Sequence, residues 1–311
     1  MWPKHSIKFG TNGLFHKLEL LLSTEYSQIL KSDLSDRYYR VKQEDEYSGL
    51  NPIKAGVPQR SVLGPGLYLI YTSDLPQPDG TTVATFDDGT AMMATGGDVE
   101  EATDKLQLAA DEIHNWTRQW LIKLNEDKST HVTVTNQRCH HIPILTNGKT
   151  IPHSQTAKYL GMTLDTKLRW KVHVKKKREE LGLKYKHMYW LMGRRSAMST
   201  NNNQVSCKQI LDPVWTYGIQ LWGSTGPSNN AIIQMFQNEV IRHIVDAPWY
   251  FRNADLHRDL NMVMVTVEII RFAMKHEERL LHHENVEAIQ RLDNSELLRR
   301  LKGTKPFQLV S

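Results

Sequence analysis

Cysteine is nearly absent from this 311-residue sequence: Cys139 and Cys207 are the only two, far apart and in no ligand-like spacing. That excludes a disulfide framework and a cysteine metal site, and it points to a reducing compartment. Long apolar runs are missing as well. A run such as Leu67–Tyr71 is five residues, against about 20 for a helix that crosses a bilayer, so no membrane partner is expected. Met1–Ser6 carries no apolar signal core, which predicts an intracellular protein, nuclear or cytoplasmic, that is not secreted. Internal repeats and low-complexity tracts are lacking too. The pairs His140–His141 and His282–His283 read as surface histidines, because adjacent side chains point apart on a helix or a strand.

What the chain does contain is ordinary globular material, 40% hydrophobic and 23% charged, enough for two compact units. Its net charge of +5 is unevenly spread: Lys158–Arg195 holds twelve Lys and Arg against three Asp and Glu, a net +9, which leaves −4 for the rest. A basic block on a slightly acidic body is the footprint of a nucleic-acid groove. The plain alternative is a solvated helix face.

Periodicity gives a coarse map. Gly13–Ser32 has a helical rhythm with Leu14, Leu18, Leu21, Leu22, Ile29 and Leu30 as its stripe. Asp33–Val41 is strand-like, and Ser61–Thr72 reads as helix despite Gly64, Pro65 and Gly66. The clearest helix is Asp98–Glu126, where Val99, Ala102, Leu106, Ala109, Ile113, Trp116 and Trp120 recur in steps of three and four. Asp98 is its expected N-cap, with Glu101 as capping-box partner. His131–Thr135 alternates as a strand, Asn147–Gly148 marks a hairpin, and Lys158–Leu164 is a further strand. Beyond Lys171 the pattern is helical, with a polar linker at Asn201–Gln204 and a break at Pro248. Strands and helices mixed up to about Leu164, then helices alone, predict an α+β fold.

The most informative stretch is Val83-Ala84-Thr85-Phe86-Asp87-Asp88-Gly89-Thr90-Ala91-Met92. It reads strand, turn, strand, and Asp-Gly is a strong hairpin signal. Two carboxylates lifted on a hairpin can hold hard divalent cations such as Mg²⁺, which takes oxygen ligands and keeps waters and phosphates as the rest of its shell. Taken alone, an Asp-Asp-Gly turn is far more often plain loop chemistry.

Upstream stands Ala55-Gly56-Val57-Pro58-Gln59-Arg60-Ser61-Val62-Leu63-Gly64-Pro65, and with the hairpin it resembles the reverse transcriptase of jockey-type non-LTR retrotransposons. Leu34-Ser35-Asp36-Arg37-Tyr38, Asp74-Leu75-Pro76, Tyr159-Leu160-Gly161, Trp215-Thr216-Tyr217-Gly218 and Ala247-Pro248-Trp249-Tyr250 follow in the family's order, so the resemblance runs from about Lys8 to about Leu281. It implies a right-hand polymerase palm, an antiparallel sheet backed by helices, over residues 1–168. A basic helical thumb at 169–225 and a helical extension at 226–311 would follow. It further implies RNA template, DNA primer and deoxynucleoside triphosphates as partners, and Mg²⁺ as cofactor.

Matched residue by residue, the family's Phe-Ala-Asp-Asp falls on Phe86, Asp87, Asp88 and Gly89. Asp88 takes the first catalytic and metal-binding position, Gly89 the second, and Asp87 the alanine slot. A one-residue slip would give both roles to Asp87 and Asp88, but it turns the side chains to the other face of the hairpin. One carboxylate at most is expected in place. The family's third carboxylate falls near Met1, where no Asp stands, and its fingers would lie further upstream. Gln59-Arg60 replaces the family's Gln-Gly at the template site. Lys128 matches the lysine that donates a proton to departing pyrophosphate, and Tyr159-Leu160-Gly161 matches the primer grip. Lys171, Lys175, Lys176, Lys177, Arg178, Lys184, Lys186, Arg194 and Arg195 are expected on the duplex backbone. Trp170, Tyr185, Tyr189 and Trp190 are interleaved with these cations; base stacking is open to them, but their helical spacing favours core packing. Trp215–Gly218 and Ala247–Tyr250 are expected as anchors joining thumb helices.

Three readings follow. One is a working RNA-directed DNA polymerase. The second, and the favoured one, is a truncated, catalytically defective copy that binds nucleic acid. The third is an interaction protein that uses the old thumb. A palm face left open by missing fingers also predicts self-association.

Overall fold

The computed structural model describes residues 11–53, 56, 61–86, 89–136, 140–192 and 196–285. They divide into two compact units, Met1–His131 with Cys139–His153, and Val132–Arg138 with Ser154–Ser311. Helices and small antiparallel sheets are mixed, as an α+β fold requires. Among the described residues the strands pair two by two, so sheet order is local to hairpins.

In the first unit the expected leading helix is two: α1 (Thr11–Leu21) and α2 (Thr24–Leu34), with Ser23 extended between them. The break shifts the helical phase. Leu14, Leu18 and Leu34 are buried while Leu21 and Ile29 of the predicted stripe are exposed. A wholly exposed arm follows, with β1 (Tyr38–Tyr39) paired to β4 (Asn51–Pro52) and β2 (Lys42–Gln43) to β3 (Glu46–Tyr47). Only two residues of the predicted Asp33–Val41 strand are therefore strand. Next, α3 (Gly64–Tyr71) opens with Pro65 in its first turn, where the missing N–H costs nothing. Its Leu67 and Tyr71 close on Leu14 and Leu18.

The hairpin of β5 (Thr81–Phe86) and β6 (Gly89–Ala94) leads into α4 (Val99–Gln119). The predicted cap is present: Asp98 Oδ1 accepts the Glu101 N–H at 2.8 Å, and the Glu101 carboxylate accepts from the Gly97 N–H. α4 ends seven residues before the predicted Glu126. Leu121 turns to φ +55°, and the Ile122 N–H bonds the Thr117 carbonyl at 2.8 Å, which closes the helix with a leucine where glycine is usual. Ala109, Ala110, Ile113 and Trp116 form its buried face. The predicted strand His131–Thr135 is reduced to one bridge, His131 to His153. The Asn147–Gly148 hairpin forms as read, between β7 (Ile144–Thr146) and β8 (Lys149–Ile151), with φ of +54° and +72° at its turn.

The second unit starts with β9 (Thr156–Tyr159) and β10 (Met162–Asp165), so the strand read over Lys158–Leu164 is a tight hairpin. Helices follow: α5 (Lys171–Met192), α6 (Thr200–Ser206), a π-turn at Cys207–Leu211, α7 (Asp212–Thr216) and α8 (Ile219–Trp222). The last three described helices are α9 (Pro227–Val245), α10 (Asn253–Asp259) and α11 (Val265–Leu281). Asn201–Gln204 lies inside α6 rather than in a linker, because Ser199 accepts the Asn202 N–H and starts the helix early. Leu181, Met192, Ile219, Trp222, Ile233, Ile241 and Val265 form the core.

One polar contact organises the first unit. Lys17 of α1 is buried, and its ammonium donates to Asp74 and to the Tyr71 carbonyl. It stands 3.7 Å from the Trp120 ring centroid, 5.0 Å from Tyr71 and 5.3 Å from Trp116. Trp116 Nε1 donates to the same carboxylate at 3.1 Å. Burial lowers the Lys17 pKa, with Asp74 opposing. The two partners are unequal, since the Asp74 side chain is half exposed. Asp74→Ala strands a buried cation and an indole N–H, whereas Lys17→Met leaves a carboxylate that water can reach. The expected cost in urea denaturation is about 2–3 kcal/mol for Asp74→Ala, below a fully buried pair, and about 1 kcal/mol for Lys17→Met. Equal costs, or the reverse order, would refute this account.

Candidate functional site

In the β5/β6 hairpin Thr81 pairs with Ala94 and each step follows in register to Phe86 with Gly89. Asp87 and Asp88 stand between those last partners and lie outside the described residues, as do Gln59, Arg60, Arg194 and Arg195. Gly89 is described, and its backbone does not need glycine. Its φ is not left-handed, and an added Cβ would stand 3.5 Å from the Phe86 carbonyl oxygen, an ordinary contact. Beside the hairpin a cavity of about 110 Å³ is lined by Thr85, Thr90, Met92, Trp116 and Asn125. Asn125 Oδ1 accepts the Lys128 N–H at 3.1 Å and shapes the short 3₁₀ turn Glu126–Lys128. The Lys128 side chain is exposed and makes no ion pair among the described residues.

The second unit joins motifs that are 57 residues apart in sequence. The tip of the β9/β10 hairpin is Leu160 at φ +46° and Gly161 at φ +73°, the two left-handed residues of a two-residue turn. Tyr217 Oη donates to the Leu160 carbonyl at 2.8 Å, and its ring lies 3.1 Å from where a Gly161 Cβ would be. Gly218 follows at φ +67°, where a Cβ would stand 2.4 Å from Met162 Sδ. The Tyr-Leu-Gly and Trp-Thr-Tyr-Gly motifs are thus two halves of one lock.

The base of this hairpin is fixed to α5. Asp165 accepts the N–H groups of Lys167 and Arg169 at 3.1 Å and of Trp170 at 2.8 Å. His173 is buried, and its Nδ1 accepts the Thr163 N–H at 3.2 Å. That bond requires an unprotonated Nδ1. Burial, reinforced by Lys177 and Lys176, pushes the His173 pKa down to about 4.

Five of the cations assigned to the duplex, those at the start of α5, separate into two groups. Lys171, Lys175 and Lys176 are exposed and make no ion pair among the described residues. Lys177 pairs with Glu180 at 3.1 Å and lies 5.6 Å from the Tyr217 ring centroid. Arg178 pairs with Glu239 at 3.0 Å and covers Phe236 at 4.5 Å, which makes it a link between α5 and α9. The aromatic residues separate too. Trp170, Tyr185 and Trp215 are buried as expected, but Tyr189 and Trp190 are exposed. Trp249 and Tyr250, expected as anchors, also point to solvent. Sequence reasoning passed over His173 and the role of Tyr217. The glycine that ends each motif, Gly161 and Gly218, was the available signal. Among the described residues no group of three His, Cys, Asp or Glu could hold a metal, and no helix is long and apolar enough to cross a membrane.

Three glycine-to-alanine changes should rank by their surroundings. Gly148 meets open space, Gly161 meets a ring edge, and Gly218 meets the Met162 sulfur. Each pays about 1–2 kcal/mol for left-handed backbone; Gly161→Ala should cost somewhat more than Gly148→Ala, and Gly218→Ala the most, read as shifts in urea midpoint. His173 adds a pH dependence. At pH values between about 4 and 6.5 the unfolded imidazole takes a proton that the folded one refuses, so stability falls as pH drops through that window. The contribution is up to roughly 3 kcal/mol, and the difference in slope between the parent and His173→Gln measures it.

Comparison with known proteins agrees with the motif reading. The chain is 37% identical over 304 residues to a probable RNA-directed DNA polymerase from transposon X-element of Drosophila melanogaster, covering 96% of this chain and 33% of that protein. It is 35% identical over 301 residues to that of transposon BS, covering 94% and 33%. To the RNA-directed DNA polymerase from mobile element jockey it is 33% identical over 313 residues, covering 96% and 34%. No protein-family model and no solved structure matches the chain. The chain spans about one third of the length of these curated relatives. Over nearly its whole length the chain is homologous to a section of the RNA-directed DNA polymerases of Drosophila non-LTR elements, jockey among them.

Proposed function

We propose that this chain is the template–primer-holding section of a non-LTR reverse transcriptase, with a palm over 1–168, a thumb over 169–225 and a helical extension beyond, in a copy defective for nucleotidyl transfer. The observation that carries the holding role is the locked β9/β10 tip beside the basic stretch of α5. Tyr217 bonds the tip at Leu160 while Lys177 lies over its ring, so Lys171, Lys175 and Lys176 project from the helix that fixes the hairpin. A rigid backbone turn next to free cations suits a nucleic-acid strand end, held by shape and phosphate charge.

The defect rests on side chains present in the chain. Gly89 stands where the family's second hairpin aspartate would be, Asp87 fills the alanine slot, and Arg60 replaces a glycine. Gly89 offers no side-chain oxygen where the family carries its second hairpin carboxylate, and its described neighbours Thr85, Phe86 and Thr90 offer no carboxylate either, which leaves Asp87 and Asp88 as the acids of the hairpin, one of them in the alanine slot. No step is therefore assigned to Mg²⁺, and Lys128 has no leaving group to protonate. RNA template and DNA primer are the proposed ligands.

Binding of an RNA–DNA heteroduplex, followed by anisotropy against salt, tests the holding role. The affinity should fall steeply with salt, and replacing Lys175 and Lys176 by Ala should reduce the log–log slope by about 2. Arg178→Ala should change the slope little. A flat salt response would refute the proposal. Primer extension with Mg²⁺ that disappears in Asp88→Ala would overturn the defective state. Gly89→Asp should fold normally, within about 0.5 kcal/mol of the parent.

A further inference from the structure

We infer that the C-terminal ends of α5 and α9 form a separate binding site for unpaired RNA, built on exposed aromatic rings. The two helices run parallel. Arg178 covers Phe236 at 4.5 Å, Tyr185 meets Phe236 at 5.8 Å and His243 at 5.9 Å, and Tyr189 stacks on His243 at 4.2 Å and 9°. Their last turns therefore lie at one end of the unit. Five rings face solvent there: Trp249 is 88% exposed, Trp190 76%, Tyr250 65%, Tyr189 55% and Phe251 47%.

These rings are held outward rather than left loose. α9 stops at Asp246, φ +48°, and the Ala247 N–H bonds the Arg242 carbonyl at 3.0 Å. Arg242 then clamps the loop, donating to the Pro248 carbonyl at 3.0 Å, to the Phe251 carbonyl, and to Asn253 Oδ1 at 2.8 Å. The Phe251 N–H closes on the Pro248 carbonyl at 3.1 Å. Trp249 and Tyr250 meet edge to face at 5.9 Å, and Tyr250 and Phe251 lie tilted at 31° with centroids 5.3 Å apart. Every one of these loop bonds is made by backbone or by Arg242, so the three rings contribute little to holding it.

The chemistry of the patch selects the occupant. Exposed Lys186 and Arg252 accompany the rings, whereas Asp255 is paired with Arg258 at 3.1 Å. Aromatic faces interleaved with cations suit stacked bases on a phosphate backbone. A base pair hides its faces in a duplex, so the site favours unpaired strands. It is distinct from the lysines proposed for the heteroduplex, since Lys175 and Trp190 are 15 residues apart on α5, about 22 Å at 1.5 Å per residue.

The inference rests on the nucleic-acid-holding reading above, and the test separates the two. The intact chain and a variant carrying Trp249→Ala and Tyr250→Ala are titrated with single-stranded RNA, an abasic strand of equal length, and the heteroduplex. Both substituted residues are exposed, and circular dichroism checks that the variant folds. The variant should bind single-stranded RNA at least about tenfold more weakly and the heteroduplex within about twofold of the parent. The parent should bind the abasic strand about as weakly as the variant binds RNA, and Trp249→Phe should retain most of the affinity. Unchanged single-strand binding in the variant would overturn the inference alone, as would equal losses for RNA and the abasic strand. A ring-dependent change in sedimentation without a change in RNA binding would assign the patch to a protein contact and overturn it too. Failure of the parent to bind any of the three would overturn both readings.

Discussion

The hydrogen bond from Tyr217 to the Leu160 carbonyl sets where the β9/β10 turn can lie, and the local geometry follows from it. A two-residue turn with both residues left-handed is rigid but free to rotate as a body about its strands. Tyr217 removes that freedom at the tip, and Asp165 and His173 remove it at the base. The glycines that allow this are dictated by their neighbours. Gly161 admits the tyrosine ring and Gly218 admits the Met162 sulfur, both at positive φ. A backbone surface is thereby fixed by side chains from two distant stretches of sequence, and α5 carries its free cations from the same foundation.

The first unit solves a similar problem with a charge. Its small apolar cluster joins α1, α2 and α3, and α4 is tied to them through Trp116, Asp74 and Lys17. An ammonium in that position is tolerated because a carboxylate, a carbonyl and three ring faces replace its water. The arrangement specifies which faces meet, something a few leucines cannot do alone. The Asp74-Leu75-Pro76 stretch, read in the sequence only as a family motif, thereby acquires a physical reason.

Features set by local chemistry were legible in the sequence. The Asp98 cap, the Asn147–Gly148 turn and the central face of α4 each depend on residues within a few positions of one another. Features set by distant partners were not. His131–Thr135 alternates correctly, but a strand needs a neighbour, and past His131 the Thr135 N–H bonds the Thr166 carbonyl instead. The end of α4 was hidden because a leucine occupies the left-handed position that glycine would have announced. Arg178 looked like its basic neighbours until Glu239 was found beside it. Trp249 and Tyr250 looked like anchors between helices, while the Arg242 clamp that turns them outward is written in carbonyl positions rather than in side-chain identity. At the β5/β6 hairpin the identities at 87 to 89 were legible as a motif, and the described structure adds the register up to Gly89.

Gly89 carries a quieter lesson. Its backbone angle is not left-handed, and among the described residues no close neighbour or packed ring holds it to glycine. To the strands around it an acidic side chain and a hydrogen atom are interchangeable. Foldability is therefore blind to this position, and whatever keeps an acid there in an active polymerase must come from turnover rather than from architecture.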